Sequence, residues 1–219
     1  MWAPVIDGKV QLGHFSEMII KNKRHMVPLL MSNTSTESWE SPKVGSIEEL
    51  EAIARKQFGD RASEFMDIVR ADTLEETIRN ATFCPMELGM RLYFEATARV
   101  RPDLDNWSSV FDVDIPGWDN PGTFHSSDLW FVFESLAACW RPFTGKHYDM
   151  ARQICNYVSN FIKTGNPNGT DVDGTPMAEW KPYREAKGQM RYGDSCAQLP
   201  DSSVTPVTKF LTDFILCQY

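Results

Sequence analysis

The chain has 219 residues, a formal net charge of −8 and a hydrophobic content of 42%. These values are typical of a globular protein and argue against the disordered, collagen-like and coiled-coil classes. The acidic balance argues against a nucleic-acid partner, because no basic field would attract phosphates. No apolar run approaches the roughly 20 residues that span a bilayer. The composition therefore predicts neither a nucleic-acid partner nor a membrane partner.

The N-terminal segment, residues 2–8 (WAPVIDG), is predicted to be extended and to end in an Asp-Gly turn. The first ten residues contain neither a basic segment nor a long apolar segment. A secretory signal needs both, so none is predicted in this chain. Cytoplasmic and secreted locations both stay open.

Cysteine and histidine spacing gives no indication of a metal site. The five cysteines are odd in number, and no pair has the CxxC spacing of a zinc site. No second histidine or cysteine follows His14, His25 or His147 at helical spacing. The sequence therefore predicts no bound metal and no cofactor.

The first half of the chain predicts one strand followed by helices. Residues 26–32 form a continuous apolar run of strand length, as in a sheet that is covered on both faces. Capping boxes at 46–49 and 73–76 predict the starts of two helices. A third helix is predicted from about Cys84-Pro85 to the residues before Arg101-Pro102, because the residue before a proline avoids the helical conformation.

The second half predicts two strands and three helices. Gly165 follows the second of these helices and matches the glycine of a helix C-cap. The predicted elements are a strand at 107–115, a helix at 126–137, a helix at 147–163, a strand at 189–193 and a helix at 204–217. Strands that alternate with helices favour an α/β fold with few strands and many packed helices. So few strands imply either that the helices pack mainly on one another or that part of the sheet is absent from this chain.

His125 is the first candidate catalytic residue. It lies in the segment FHSSDLWFVF (124–133), after a glycine-containing loop that itself follows the strand predicted at 107–115. An α/β enzyme places catalytic groups in such loops, at the carboxyl end of the sheet. Taken by itself, the segment favours an ordinary loop histidine over a catalytic one.

Glu37 is the second candidate. It lies in VPLLMSNTSTES (27–38), where a buried strand again continues into a polar loop. A carboxylate here could accept a hydrogen bond from a histidine in the loop after the next strand, which would fix the imidazole tautomer and stabilise the imidazolium. A solvated loop glutamate is the alternative.

Five segments together resemble one protein family, and they follow one another in the family's order. They are WAPVIDG (2–8), VPLLMSNTSTES (27–38), FHSSDLWFVF (124–133), WRPF (140–143) and NFIKTGNPNG (160–169). They closely resemble the C-terminal part of the type B carboxylesterases, an α/β-hydrolase family that includes cholinesterases and bacterial para-nitrobenzyl esterases. The resemblance covers nearly the whole chain.

The resemblance assigns a role to both candidates. The family's acidic motif, roughly G-x-N-x-D-E-G, matches Ser32 to Ser38 and places its acid on Glu37, with serines in place of both outer glycines. The family's histidine motif falls on His125. The resemblance therefore implies that His125 and Glu37 are the histidine and the acid of a Ser-Glu-His triad. It also suggests a cholinesterase-like disulfide between Cys84 and Cys217, against which the odd cysteine count argues.

The nucleophile of such a triad is absent from the sequence. Hydrolases of this fold carry their serine in a G-x-S-x-G elbow that precedes the acid and the histidine in chain order. No such elbow occurs anywhere in the chain. The expected fold is therefore the C-terminal part of an α/β-hydrolase. Residues 1–219 are expected to be a single incomplete domain that lacks the N-terminal part with the elbow.

The expected function is that of a C-terminal fragment of a carboxylesterase, a serine hydrolase that is inactive without its nucleophile. The complete enzyme would cleave small-molecule carboxylic esters of small or aryl alcohols. The expected partner is the missing N-terminal portion or, through self-association, a second copy of the chain. The alternatives are a non-catalytic binding protein that resembles the cholinesterase-like adhesion proteins, and a self-associating domain that pairs through its sheet edge.

Overall fold

The computed structural model describes residues 5–218. Residues 2–4 of the predicted N-terminal segment lie outside this range. At its other end, Asp7 accepts hydrogen bonds from the backbone amides of residues 9–11, which forms the predicted turn at Gly8. The helices are α1 (Phe15–Ile20), α2 (Ile47–Phe58), α3 (Ala62–Val69), α4 (Leu74–Ala81), α5 (Pro85–Val100), α6 (Leu129–Val132), α7 (Gly145–Thr164), α8 (Tyr183–Ala186) and α9 (Pro206–Leu216). The strands are β1 (Leu30–Thr34), β2 (Trp107–Phe111), β3 (Met190–Tyr192) and β4 (Cys196–Gln198).

The described residues group into two compact units. The helical unit comprises the residues up to Met26, Ser38–Arg101 and those from Val204 onward. The sheet unit comprises Val27–Glu37 and Pro102–Ser203. The single incomplete domain over residues 1–219 stays a prediction.

Two helices of the helical unit, α2 and α4, begin at the capping residues that the sequence predicts. The Ser46 hydroxyl accepts a hydrogen bond from the Glu49 amide at the start of α2, and Thr73 does the same for Glu76 at the start of α4. The Glu49 carboxylate reaches back to the amide of Gly45, one residue earlier than in a standard capping box. The core of this unit is formed by apolar side chains of α2, α3, α5 and α9, among them Leu50, Phe58, Phe65, Leu88, Val207 and Phe210.

The sheet unit is built on a mixed four-stranded sheet in the order β1-β2-β3-β4. β1 and β3 both pair in parallel with β2, and β4 pairs antiparallel with β3. The strand predicted at 26–32 lies at Leu30–Thr34, and the strand predicted at 107–115 ends at Phe111. β3 is confirmed, whereas β4 was not predicted. Among the described strands β1 forms one edge of the sheet.

One face of the sheet packs against α7. The core contains Trp107 and Phe111 of β2, Met190 and Tyr192 of β3, and Ile154 of α7, all buried. The amphipathic pattern at 147–163 predicted this helix, and Gly165 ends it in the left-handed conformation, with φ of 77°. This packing fixes the strand ends that carry the candidate site.

The prediction of one helix over residues 126–137 is wrong for most of this range. Only Leu129–Val132 is α-helical, and a 3₁₀ turn follows at Leu136–Ala138. The backbone turns through positive φ at Ser126 (67°) and Glu134 (47°), on either side of the short helix. A right-handed helix cannot continue through such residues. The apolar periodicity of the segment reflects its contact with the core and not a long helix.

Candidate active site

Both candidate residues lie in loops that follow parallel strands. Glu37 is three residues beyond Thr34, the last residue of β1, and His125 lies in the loop that follows β2. β1 and β2 are neighbours and parallel, so their carboxyl ends meet at the same edge of the sheet. This is the edge at which open α/β sheets bind their ligands.

The structure brings Glu37 and His125 into direct contact. Nδ1 of His125 and Oε1 of Glu37 share a short hydrogen bond. The side chain of His125 is 80% exposed, whereas that of Glu37 is only 11% exposed. An ionised carboxylate only accepts hydrogen bonds, so the proton of the neutral imidazole lies on Nδ1. Nε2, the other ring nitrogen, is then a proton acceptor on an exposed ring.

Thr34 holds the second oxygen of the Glu37 carboxylate. The Thr34 hydroxyl donates to Oε2 at 3.1 Å and its backbone amide at 3.4 Å. Burial raises the pKa of Glu37, but the hydrogen bonds from His125 and Thr34 outweigh this effect and lower the pKa below its usual value. Glu37 is therefore an ionised and oriented acceptor at neutral pH.

Hydroxyl groups tie the two loops together beside the hydrogen bond between Glu37 and His125. Ser35 and the buried Thr123 share a hydrogen bond of 2.6 Å between their hydroxyls. The Thr36 hydroxyl donates to the carbonyl of Thr123, two residues before His125. The backbone amide of Ser35 also donates to the carbonyl of Phe111 at 2.9 Å. The loop with Glu37 is thus fastened to the loop with His125 independently of their own contact.

His125 lies on a tight turn just before α6. The amide of Ser127 donates to the carbonyl of Phe124, and the amide of Leu129 donates to that of Ser126. Asp128 lies close by, and burial, with some repulsion from Glu37, raises the pKa of its carboxyl. Among the acidic groups beside His125, Glu37 is the one that contacts the ring nitrogen and is stabilised as a carboxylate.

Ser32 and Ser38 stand where the acidic motif of the family has glycines. Ser38 has φ of 53°, in the left-handed region that favours glycine. The turn after Glu37 therefore keeps the backbone conformation that a glycine would adopt, at a cost of roughly 1 kcal/mol. Ser32 lies within β1, where a side chain is accommodated without strain.

No group of three or more histidine, cysteine or acidic side chains that could hold a metal ion occurs among residues 5–218. In the same range, no helix combines the length and the apolar character needed to cross a membrane. The five cysteines form no disulfide bond, so the suggested pairing of Cys84 with Cys217 is not present.

Replacing His125 with alanine is expected to raise the pKa of Glu37, because burial persists while a hydrogen bond to the carboxylate is lost. The direction of the pKa shift of Glu37 also determines how the stability of the fold depends on pH. A carboxyl whose pKa is lowered in the folded state stabilises the fold above about pH 4.5, its ordinary pKa, and this contribution disappears as the pH falls through the folded pKa. The measurement is a side-chain carboxyl titration by NMR, with His25→Ala as the matched control. An unchanged titration of Glu37 in His125→Ala would contradict the contact in solution.

Sequence comparison gives a family match that includes His125, the first candidate. The model of the carboxylesterase family matches residues 87–198, just over half of the chain. A secreted triacylglycerol lipase from Gibberella zeae is 30% identical over 105 residues, which make up 48% of this chain and 16% of the lipase. His125 lies within the family match, and Glu37 lies before it.

Structural comparison gives the fold. A PNB esterase matches with a TM-score of 0.64 and 21% identity, over 97% of this chain and 43% of its own. A carboxylesterase from Geobacillus stearothermophilus matches with a TM-score of 0.57 and 21% identity, over 90% of this chain and 43% of its own. The predicted fold, part of an α/β-hydrolase with few strands and many helices, is confirmed. The chain spans less than half the length of these solved esterases.

Proposed function

The chain belongs to the carboxylesterase family, and from this premise we propose that it supplies the acid and the histidine of a Ser-Glu-His triad to an ester hydrolase. The observation that supports the proposal most directly is the hydrogen bond between Glu37 and Nδ1 of His125 at the carboxyl ends of neighbouring parallel strands. The substrate is a small-molecule carboxylic ester. The names of the structural relatives, PNB esterases, suggest esters of aryl-substituted alcohols.

In the proposed reaction Nε2 of His125 removes the hydroxyl proton of a serine as the serine oxygen bonds to the ester carbonyl carbon. The imidazolium then gives this proton to the departing alkoxide as the carbon–oxygen bond breaks. A water molecule repeats the sequence on the acyl-serine, with His125 again accepting and returning one proton, and releases the carboxylic acid. Glu37 keeps the ring in the reactive tautomer and stabilises the imidazolium at each stage.

The nucleophile has to come from outside this chain, since the sequence contains no G-x-S-x-G elbow. Without the serine and the backbone donors that stabilise the oxyanion, acyl transfer loses both its nucleophile and its main electrostatic stabilisation. We propose that the chain alone is inactive and that it acts together with a serine-bearing portion of the same fold. The two together are called the assembled esterase below.

The sheet unit offers a surface for that portion. β1 is at the edge of the described sheet, and Leu129, Phe133 and Trp140 are 46%, 72% and 66% exposed. A strand edge and large exposed apolar side chains are features of an interaction surface. We propose the serine-bearing portion as its partner, because the esterase chains that share this fold extend well beyond the part that this chain matches. In the chain alone, self-association would cover the same surface.

The test compares the chain alone with the assembled esterase. The serine-bearing portion is sought in the coding sequence beside that of this chain and is produced with it. We expect the chain alone to show no turnover of para-nitrophenyl acetate and no labelling by a fluorophosphonate probe. The assembled esterase should show both, with the label on the elbow serine.

Two results would overturn the proposal. Turnover together with a labelled serine in the chain alone would reveal a nucleophile within these residues. An assembled esterase that hydrolyses esters equally well after loss of His125 would show that the histidine has no part in the reaction.

A further inference from the structure

Arg141 contacts the loop that precedes His125, residues 116–124, at several points. Its guanidinium makes a two-pronged ion pair with Asp119, with both nitrogen–oxygen distances at 3.0 Å. One nitrogen also donates to the carbonyl of Pro116 at 3.1 Å. The side chain is only 7% exposed. These contacts fix the start and the middle of the loop.

The same guanidinium also contacts the end of the loop. It lies over the ring of Phe124, the residue immediately before His125, at 5.4 Å from the ring centroid, and over Trp140 at 4.6 Å. Phe124 in turn packs edge-on against Trp130 of α6, with ring centroids 5.7 Å apart. Arg141 therefore contacts the loop at Pro116, before its two glycines, and at Phe124, after them and next to His125.

Gly117 shows how closely the loop fits around the ion pair. A Cβ atom at this position would lie 2.5 Å from a guanidinium nitrogen of Arg141 and 2.3 Å from a carboxylate oxygen of Asp119. A side chain at this position would displace the ends of the Arg141 and Asp119 side chains from their present places. The backbone at Gly117 thus lies against an ion pair whose guanidinium is largely buried.

We propose that Arg141 is a positioning residue for His125. It holds the loop from Pro116 to Phe124 so that the imidazole meets Glu37, while Thr123 fixes the loop from the other side through Ser35. The inference rests on the proposed function, because it concerns the orientation of the proposed triad histidine. Arg141 itself touches no reacting group.

Lysine cannot replace arginine in this position. The planar guanidinium pairs with the Asp119 carboxylate through two parallel hydrogen bonds, donates to a carbonyl and stacks on aromatic rings at the same time. An ammonium group is a single point of charge that cannot make both the two-pronged pair and the stacking contacts. Arg141→Lys therefore keeps the charge and removes the geometry.

The experiment determines the tautomer of His125 in the 219-residue chain itself. Ring-nitrogen chemical shifts are measured by NMR on isotope-labelled histidine, well above the ordinary histidine pKa of about 6.5. His147 serves as an internal reference, since its Nδ1 accepts a hydrogen bond from the Thr144 amide at 2.9 Å and its proton lies on Nε2. The matched control is Arg184→Lys, at a surface ion pair with Asp105 in the same unit.

In the unsubstituted chain the ring-nitrogen shifts of His125 should be those of the Nδ1-protonated form. In Arg141→Lys they should move toward the averaged values of a free imidazole, while His147 keeps its shifts. Arg184→Lys should leave both histidines unchanged. Asp119→Asn, which removes the charge that orients the guanidinium, should act in the same direction as Arg141→Lys.

Thermal unfolding separates positioning from a merely structural role. If Arg141→Lys lowered the unfolding midpoint but left the His125 shifts unchanged, Arg141 would only stabilise the fold and the inference would be wrong. This readout does not depend on ester hydrolysis. An assembled esterase without activity would overturn the proposed function and leave the result on Arg141 in place.

Discussion

Replacing His125 with glutamine in the assembled esterase is expected to lower kcat by about 10⁶-fold, the order found when the histidine of a catalytic triad is removed. Glutamine is polar and of similar size, but it cannot accept the serine proton and return it to the leaving alkoxide. KM should change little, because the exposed imidazole contributes proton transfer and little binding area. The measurement is steady-state hydrolysis of para-nitrophenyl acetate.

The control for this substitution is His25→Gln, since His25 is also an exposed histidine but lies in the helical unit. It should leave kcat within about twofold, as expected when an exposed side chain outside the proposed site is replaced. Circular dichroism on both variants checks that they fold. A folded His125→Gln variant that keeps most of its kcat would exclude His125 as the general base.

The contact between the candidate residues could be predicted because it depends on topology. Two strands that end in polar loops, read as neighbours in a parallel sheet, bring Glu37 and His125 to one edge, and the family motifs gave the same pair. The geometry agrees with both arguments.

The support around this pair could not be predicted from the sequence. The sequence predicts Thr34 in the polar loop after the strand, whereas the structure places it at the end of β1, where its hydroxyl and amide bind the second oxygen of Glu37. A threonine three residues before a glutamate does not by itself predict a hydrogen bond between them, because the partner of a threonine hydroxyl depends on the path of the backbone. Thr123 and Arg141 act through contacts with residues far away in sequence, and no local pattern encodes such contacts.

The errors in the predicted secondary structure have a similar cause. The helix predicted at 126–137 failed because Trp130 and Phe131 pack into the core from a short turn, and burial of this kind imitates helical periodicity. β4 was missed because strands as short as Cys196–Gln198 show no alternation that could be recognised. By contrast, the N-cap residues Ser46 and Thr73, the proline at the start of α5 and Gly165 are local signals, and the structure confirms each of them.

Replacing Glu37 with glutamine in the assembled esterase is expected to lower kcat by about 10³- to 10⁴-fold at neutral pH. The amide has nearly the shape of the carboxylate but carries no charge to stabilise the imidazolium. Its NH₂ group can also donate to Nδ1, which would place the imidazole proton on Nε2, where the serine proton has to be accepted. The same substitution in the chain alone should therefore move the ring-nitrogen shifts of His125 toward the Nε2-protonated form.

Two further variants separate charge from contact. Glu37→Asp keeps the charge but shortens the side chain by one methylene, so it should keep more activity than Glu37→Gln if the charge dominates. Glu40→Gln, an exposed glutamate three residues away, is the matched control and should have little effect. Should Glu37→Gln and Glu40→Gln give equal rates in folded protein, the acid of the triad would have to be sought elsewhere. Should Glu37→Asp be as inactive as Glu37→Gln, the position of the carboxylate, set by Thr34, would matter more than its charge.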